Sequence, residues 1–149
     1  MYSLNLPSYD TKIRKRGSIV EIYDTLRHKY VTLTPEEWVR QHFVNWLVSD
    51  KNYPSTLMAN ETSIKLNSMS RRCDTVVYNQ HLEPLMIIEY KESNIPISQK
   101  VFDQIVRYNT VLKVKYIVVS NGINHFCCKM DYDRQSYDFL TDLPEYVDL

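Results

Sequence analysis

Two acidic residues and a lysine stand out in this chain because each lies at the edge of an apolar run. Asp74 sits in Arg71-Arg72-Cys73-Asp74-Thr75-Val76-Val77-Tyr78, and Glu89 and Lys91 close Leu85-Met86-Ile87-Ile88-Glu89-Tyr90-Lys91. Hydrolysis of a phosphodiester needs an activated water, neutralised phosphoryl oxygens and help for the leaving oxygen, all of which a bound magnesium ion can supply. Magnesium takes oxygen ligands and keeps several waters. Asp74 and Glu89 therefore suffice as the protein's share, with the Tyr90 carbonyl as a third donor and manganese as a substitute ion. Side chains alternate along a strand, so Glu89 and Lys91 share a face while Tyr90 points away. Lys91 is then placed to orient the attacking water or to stabilise developing charge. The pattern alone is weak, since Asp10-Thr11-Lys12 matches it with no apolar strand before it. The competing readings are a strand-end ion pair for Glu89 and Lys91 and a turn position for Asp74.

The elements that must carry these residues can be read from pattern. Ile19-Val20-Glu21-Ile22-Tyr23-Asp24 and Lys29-Tyr30-Val31-Thr32-Leu33 are β-rich runs around a short polar turn, which predicts an N-terminal hairpin. Thr34-Pro35-Glu36-Glu37 is a helix start: Thr34 caps, Pro35 suits the first position and Glu37 completes a capping box. Val39, Phe43, Trp46 and Leu47 repeat at helical spacing and mark its buried face, and Asn52-Tyr53-Pro54 ends it. Ser63-Ile64-Lys65-Leu66 predicts a short strand, and the Asp74 and Glu89 strands follow, joined across Asn79 to Pro84. A second helix is expected from about Ser98 to Leu112, with Val101, Ile105, Tyr108 and Leu112 on one side. Tyr116-Ile117-Val118-Val119-Ser120 reads as a buried strand, Asn121-Gly122 as a turn, and Ile123 to Met130 and Tyr137 to Leu140 as further strands. Such an order packs as a mixed sheet flanked by helices, an α/β fold.

Composition sets bounds. The chain has 149 residues, enough for one domain with a sizeable core, and no repeat or linker divides it. The expected layout is a single domain over 1–149: an arm and hairpin at 1–33, a core at 34–130, and a C-terminal strand and tail at 131–149. Only two glycines are present, which excludes a glycine-rich phosphate loop. Lys plus Arg and Asp plus Glu both total 18, so a nucleic-acid binder of this composition must concentrate its positive charge locally. Arg14-Lys15-Arg16, Arg27-His28-Lys29 and Arg71-Arg72 are such clusters, the first two equally readable as solvated loop charge. Lys65, Arg71 and Arg72 flank the carboxylates and are candidates for phosphate contact. There is no signal-peptide-like start and no membrane-spanning run. Three cysteines without framework spacing point to a reducing, cytoplasmic location. His125, Cys127 and Cys128 have only Cys73 as a distant thiol, a poor zinc set. His28, His42 and His81 show no ligand spacing either, and Trp38 and Trp46 fit core packing on the first helix.

Five motifs in order carry a resemblance: Thr34-Pro35-Glu36-Glu37-Trp38-Val39-Arg40-Gln41, Arg72-Cys73-Asp74-Thr75-Val76-Val77-Tyr78, Ile88-Glu89-Tyr90-Lys91, Asp103-Gln104 through Arg107-Tyr108-Asn109, and Ser120-Asn121-Gly122. As a set, over about Ile22 to Asn124, they resemble the N-terminal nuclease domain of type I restriction enzyme R (HsdR) subunits, within the wider PD-(D/E)xK nuclease superfamily. The resemblance implies a restriction-endonuclease-like core, magnesium dependence and DNA as substrate. It assigns metal binding to Asp74 and Glu89 and the catalytic lysine to Lys91. It also implies a helix-borne glutamate near the metal, for which Glu36 is preferred because the capping box already uses Glu37. A Gln-x-x-x-Tyr pair beside the active site and DNA falls on Gln104 and Tyr108, which share a helix face. Departures are Cys73 where proline is usual, and Tyr90 where a small residue or cysteine is expected.

The function expected is therefore a magnesium-dependent endonuclease acting on DNA. The rival is a non-catalytic domain on the same fold that binds nucleic acid or a protein partner, and activity on RNA or branched DNA is a third reading. A chain of this length leaves no room for the helicase motor of a type I enzyme, so restriction or helicase subunits are expected partners. Cutting both strands of a duplex would suit a homodimer, paired through the hairpin before Thr34 or the strands after Gly122.

Overall fold

A computed structural model describes residues 3–149. The N-terminal sheet is a three-stranded antiparallel meander of β1 (Ile13–Arg16), β2 (Ile19–Asp24) and β3 (Lys29–Thr32). Sequence pattern predicted only the β2–β3 hairpin. The extra strand is Ile13 with Arg14-Lys15-Arg16, a run read above as a basic cluster or equally as solvated loop charge, and it pairs with β2 through a turn at Gly17, where φ is +61°. Asp24 shapes the β2–β3 turn: its Oδ1 accepts the Leu26 and Arg27 N–H groups, each at 2.8 Å.

Helix α1 (Pro35–Asp50) starts where the sequence places it, with the Glu37 N–H donating to Thr34 Oγ1 at 3.0 Å. Only that half of the expected capping box is built, because the Glu37 carboxylate turns to Arg27, Arg40 and Gln41. Val39, Phe43 and Leu47 are buried as expected, and Trp46 is half-buried at the margin.

The main sheet has six strands in sequence order: β4 (Met58–Leu66), β5 (Met69–Tyr78), β6 (Pro84–Tyr90), β7 (Tyr116–Ser120), β8 (His125–Asp131) and β9 (Ser136–Leu140). All neighbours are antiparallel except β6 and β7, whose parallel pairing requires a crossover, and α2 (Gln99–Asn109) makes it. β4 is longer than the Ser63–Leu66 expected, because polar Asn60, Glu61 and Thr62 hide its first half from pattern reading. The sheet is covered on both faces. Val77, Met86, Ile88, Tyr90, Tyr116 and Val118 pack with α1, while Val76, Ile87, Ile117 and Val119 pack with α2. The alternation in β6 and β7 therefore decides which residues meet which helix.

On α2 the expected buried face is displaced. Phe102, Val106 and Asn109 are buried, and Leu112 follows in a short 3-10 turn, whereas Tyr108 is 55% exposed. Phe102 packs beside Phe126, Tyr137 and Phe139 of β8 and β9, which rotates Tyr108 away from the core. Ahead of the first strand, Leu4 and Leu6 pack on the α1 side, and the Asn5 N–H donates to the Gly122 carbonyl at 2.8 Å. No helix among the described residues is long and apolar enough to cross a membrane.

Candidate active site

β5 and β6 pair with Thr75 opposite Ile88, so the next step of the register sets Asp74 opposite Glu89. Both lie two residues from side chains of the α2-facing core, Val76 and Ile87, and so face that side. Here the ladder changes hands. The Tyr90 N–H donates to Asp74 Oδ2 at 2.9 Å, while the Lys91 N–H donates to the Ser120 carbonyl at 2.9 Å. The chain at Tyr90–Lys91 thus stays fixed to β7 and is tied to β5 through a carboxylate. The Tyr90 ring points to the opposite face, as alternation requires, and its hydroxyl donates to Thr75 Oγ1 at 2.9 Å.

A cleft of about 470 Å³ opens at this point. It is lined by Asp74, Glu89, Tyr90 and Lys91 from the sheet, Arg72 from β5, Glu36 from the first turn of α1, and Gln104 and Tyr108 from α2. Sequence-predicted residues far apart in the chain are therefore brought together. Arg71 sits at the rim, its guanidinium 4.6 Å from the Tyr108 ring centroid and its Nε donating to the Tyr108 carbonyl at 3.3 Å. Lys65 is not brought in: it pairs with Ser70 near the tip of the β4–β5 hairpin and lines no part of the cleft. A separate cavity of about 420 Å³ lies between α2 and the β8–β9 hairpin, away from the carboxylates.

Charge at the site is unbalanced. The Glu89 carboxyl is pushed up to about 9, first by burial, then by the charge of Asp74 and a hydrogen bond with it, with Lys91 opposing. Glu36 is raised as well, by burial and then Asp74, with Lys91 again opposing. Three carboxyl groups thus converge so closely that Lys91 does not offset their mutual repulsion, and the protonated form of Glu89 is favoured while no cation is bound. Hard oxygen donors short of a counter-charge suit magnesium, which needs only one or two carboxylates from a protein. Asp74 and Glu89 are the carboxyl groups placed opposite each other that could serve as such donors. Among the described residues, no three His, Cys, Asp or Glu side chains form a ready-made cation cage. The Cys73 thiol is pushed up to about 12 by burial, Glu89 and Asp74, so it stays a thiol and is no nucleophile.

Pattern reading missed the support behind Asp74. Arg40 on α1 binds Glu37 Oε2 through Nη2 at 2.5 Å, and its Nη1 donates to Glu61 Oε1 at 2.7 Å and to the Asp74 carbonyl at 2.9 Å. Glu37 also takes Arg27, which binds Asp24, and Glu61 takes Arg72 at 3.0 Å. Asp24 in turn accepts Asn60 Nδ2 at 2.9 Å, and Asn60 Oδ1 accepts the Thr75 hydroxyl at 2.7 Å. An ionic and hydrogen-bonded network, buried at Asp24, Glu37 and Arg40 and reaching the surface at Arg72, therefore joins the N-terminal sheet, α1, β4 and β5 directly behind the carboxylates. The one signal for it in the sequence is the Glu37–Arg40 spacing of three on a helix. The same network explains why Glu36, and not Glu37, faces the cleft.

A family model described as type I restriction enzyme R protein N terminus matches residues 35–144. Among solved structures, a fragment assigned as an HsdR subunit of a type I restriction enzyme from Vibrio vulnificus YJ016 is similar, with a TM-score of 0.52 and 18% sequence identity. The match covers 78% of this chain and 25% of that one, so this chain spans about a quarter of its length. A search of curated proteins gives no match. With the family model spanning most of the chain, from the start of α1 to beyond β9, the protein belongs to the family of type I restriction enzyme R protein N termini.

Proposed function

We propose that this protein is a magnesium-dependent endonuclease domain that hydrolyses DNA phosphodiester bonds. The observation that carries the proposal is the convergence of Asp74, Glu89, Lys91, Glu36, Gln104 and Tyr108 on one cleft, with Glu89 raised to about 9 by burial first and by Asp74 second. Asp74 and Glu89 would hold the ion, with the Tyr90 carbonyl as a further donor and manganese able to replace magnesium. When bound, it supplies charge neutralisation at the phosphoryl group and acidifies a coordinated water.

The protein's own groups do the rest. Lys91 lines the cleft on the Glu89 side and is assigned to orient the attacking water and to stabilise charge on the phosphoryl oxygens. Glu36 faces Asp74 and Lys91, and its raised carboxyl is suited to accept a proton from that water. Gln104 and Tyr108 border the same space from α2 and are assigned to position the DNA backbone, with Arg71 and Arg72 as phosphate contacts. Arg40 is assigned to hold the Asp74 backbone in place. DNA and the other subunits of a restriction system are the proposed partners, in the cytoplasm. A homodimer has no support in the comparisons, and the proposal is for one chain.

Nicking of supercoiled plasmid tests this. Wild-type protein with magnesium or manganese is expected to nick, while Lys91→Ala and Asp74→Asn proteins fold and do not. Nicking by Lys91→Ala at the wild-type rate would remove the lysine from the mechanism, and nicking by Asp74→Asn at that rate would refute the site. A folded wild-type protein that binds DNA but never nicks would move the conclusion to the non-catalytic rival.

A further inference from the structure

The cleft at the carboxylates continues on the far side of Asp74. A second depression of about 330 Å³ shares Glu36, Asp74 and Tyr90 with it and runs past Thr34 to Thr32 and Val31 at the end of β3. Thr32 stands in one row with Glu21 of β2 and Arg14 of β1. Ile22 and Asp24, the alternate residues of β2, are fully buried toward the body of the protein. The row Arg14–Glu21–Thr32 therefore lies on the opposite, outer face of the three-stranded sheet, which begins where the groove ends; Arg14 and Thr32 are exposed there, and Glu21 is buried beside Arg14.

That outer face is built around cations. Lys12, Arg14 and Arg16 alternate with Ile13 and Lys15, so all three project on the same side, and all three are exposed. The Tyr23 N–H donates to the Lys12 carbonyl at 2.8 Å, which extends the ladder to that residue. Spacing along a strand sets successive cations about 7 Å apart, of the same order as successive phosphates on one nucleic-acid strand. The cations are also oriented. The Arg14 guanidinium lies 3.9 Å from the Tyr30 ring centroid and binds Glu21 at 2.9 Å, Lys12 Nζ lies 5.6 Å from the Tyr23 ring, and the two tyrosines meet edge to face at 5.3 Å. Glu21, the acidic residue among them, is neutralised by Arg14.

We infer that the outer face of β1–β3 is a docking surface for duplex DNA on one side of the cleavage point, resting on the nuclease reading of the cleft. Charge complementarity at the β1 cations selects a phosphate backbone, and the groove, where Arg27 and Arg40 are tied to Glu37 and Glu61, connects the carboxylates across β3 to β1, a span of about 10 Å at the usual strand separation. The tyrosine rings lie beneath Lys12 and Arg14 and so orient cations; they do not offer bare stacking platforms, which selects paired over unpaired DNA.

The test is fluorescence anisotropy of a short labelled duplex, and of its labelled strand alone, in EDTA, titrated with salt, on wild-type protein and a Lys12→Glu, Arg16→Glu double variant. Arg14 is left in place because it neutralises Glu21. A Lys51→Glu, Lys129→Glu protein, altered by the same charge away from both depressions, is the control. The double variant is expected to bind about tenfold or more weakly, with the slope of log Kd against log salt lower by about two, and the control to keep the wild-type slope. An unchanged slope in the double variant, an equal loss in the control, or tighter binding of the single strand than of the duplex would overturn the inference. The two readings fail separately. Duplex binding that depends on Lys12 and Arg16, in a protein that never nicks, keeps this face and sinks the nuclease. Nicking that needs Asp74, with a salt slope indifferent to Lys12 and Arg16, does the reverse.

Discussion

Replacing Glu89 with glutamine is expected to stabilise the metal-free protein while removing its proposed metal ligand. In the folded state the Glu89 carboxyl is raised to about 9 from an ordinary 4.5, by burial first and by Asp74 second. Below the ordinary value both folded and unfolded states hold the proton, so the site costs nothing. Between about 4.5 and 9 the unfolded chain gives up the proton and the folded protein keeps it, so stability falls as pH rises. Three pH units at about 1.4 kcal/mol each set a ceiling of about 4 kcal/mol at roughly pH 7.5. Water in the open cleft and rotation of the carboxylates lower this to about 1–3 kcal/mol. Glutamine removes the ionisation and keeps an N–H donor toward Asp74, so it leaves no new unpaired acceptor. Urea unfolding in EDTA should show little difference between the two proteins near pH 5 and a variant more stable by about 1–3 kcal/mol near pH 7.5. Added magnesium should then raise the stability of wild type and not of the variant. A variant less stable than wild type near pH 7.5, or a difference that does not grow with pH, would refute the reasoning.

Other outcomes follow from the same geometry. Because Glu89 must lose its proton to bind an ion, magnesium affinity should climb with pH toward about 9, by up to about tenfold per unit, with proton release visible as buffer-dependent heats; a flat profile from about pH 6 to 9 would contradict this. Arg40→Met strips Glu37, which is 5% exposed, of one of its cationic partners and frees the Asp74 carbonyl. It should cost about 3–5 kcal/mol in urea unfolding, and a loss below about 1 kcal/mol would show that the network adds nothing. Gln104→Ala, at an exposed position, should leave stability within about 0.5 kcal/mol and cut nicking about tenfold or more; wild-type nicking would remove Gln104 from the site. Gly122→Ala places a methyl group 2.7 Å from Leu4 Cδ2 at a φ of +83° and should cost about 1–2 kcal/mol by thermal unfolding; no change would contradict both the left-handed backbone and the Leu4 contact at that turn.

What the sequence made legible was local. Thr34-Pro35 marked the start of α1 because capping is chemistry between near neighbours. Alternation in Ile87-Ile88-Glu89-Tyr90-Lys91 correctly separated the face of Glu89 from that of Tyr90, since a strand has a period of two. The family motifs were sufficient to gather Glu36, Gln104 and Tyr108 around the carboxylates, and the structure brings all three to the cleft. Strand β1 was hidden because Ile13-Arg14-Lys15-Arg16 has no apolar alternation; its pairing energy comes from β2 and from stacking on Tyr30. Tyr108 was gathered to the site correctly but set on the wrong helix side, with Val101, Ile105 and Leu112, because an aromatic at helical spacing resembles core, while its neighbour in space is Arg71, far away in the chain. The Asp24–Arg27–Glu37–Arg40–Glu61–Arg72 network obeys no spacing rule over most of its length, because it is assembled by the packing of two sheets on one helix.

The central claim, a magnesium site built by Asp74 and Glu89, is tested most directly by calorimetric titration of magnesium into wild-type protein and the Asp74→Ala, Glu89→Ala double variant, with plasmid nicking on the same samples. The account predicts binding and nicking by wild type and neither by a folded variant. Binding of equal strength in the variant, or no binding by well-folded wild-type protein, would contradict it.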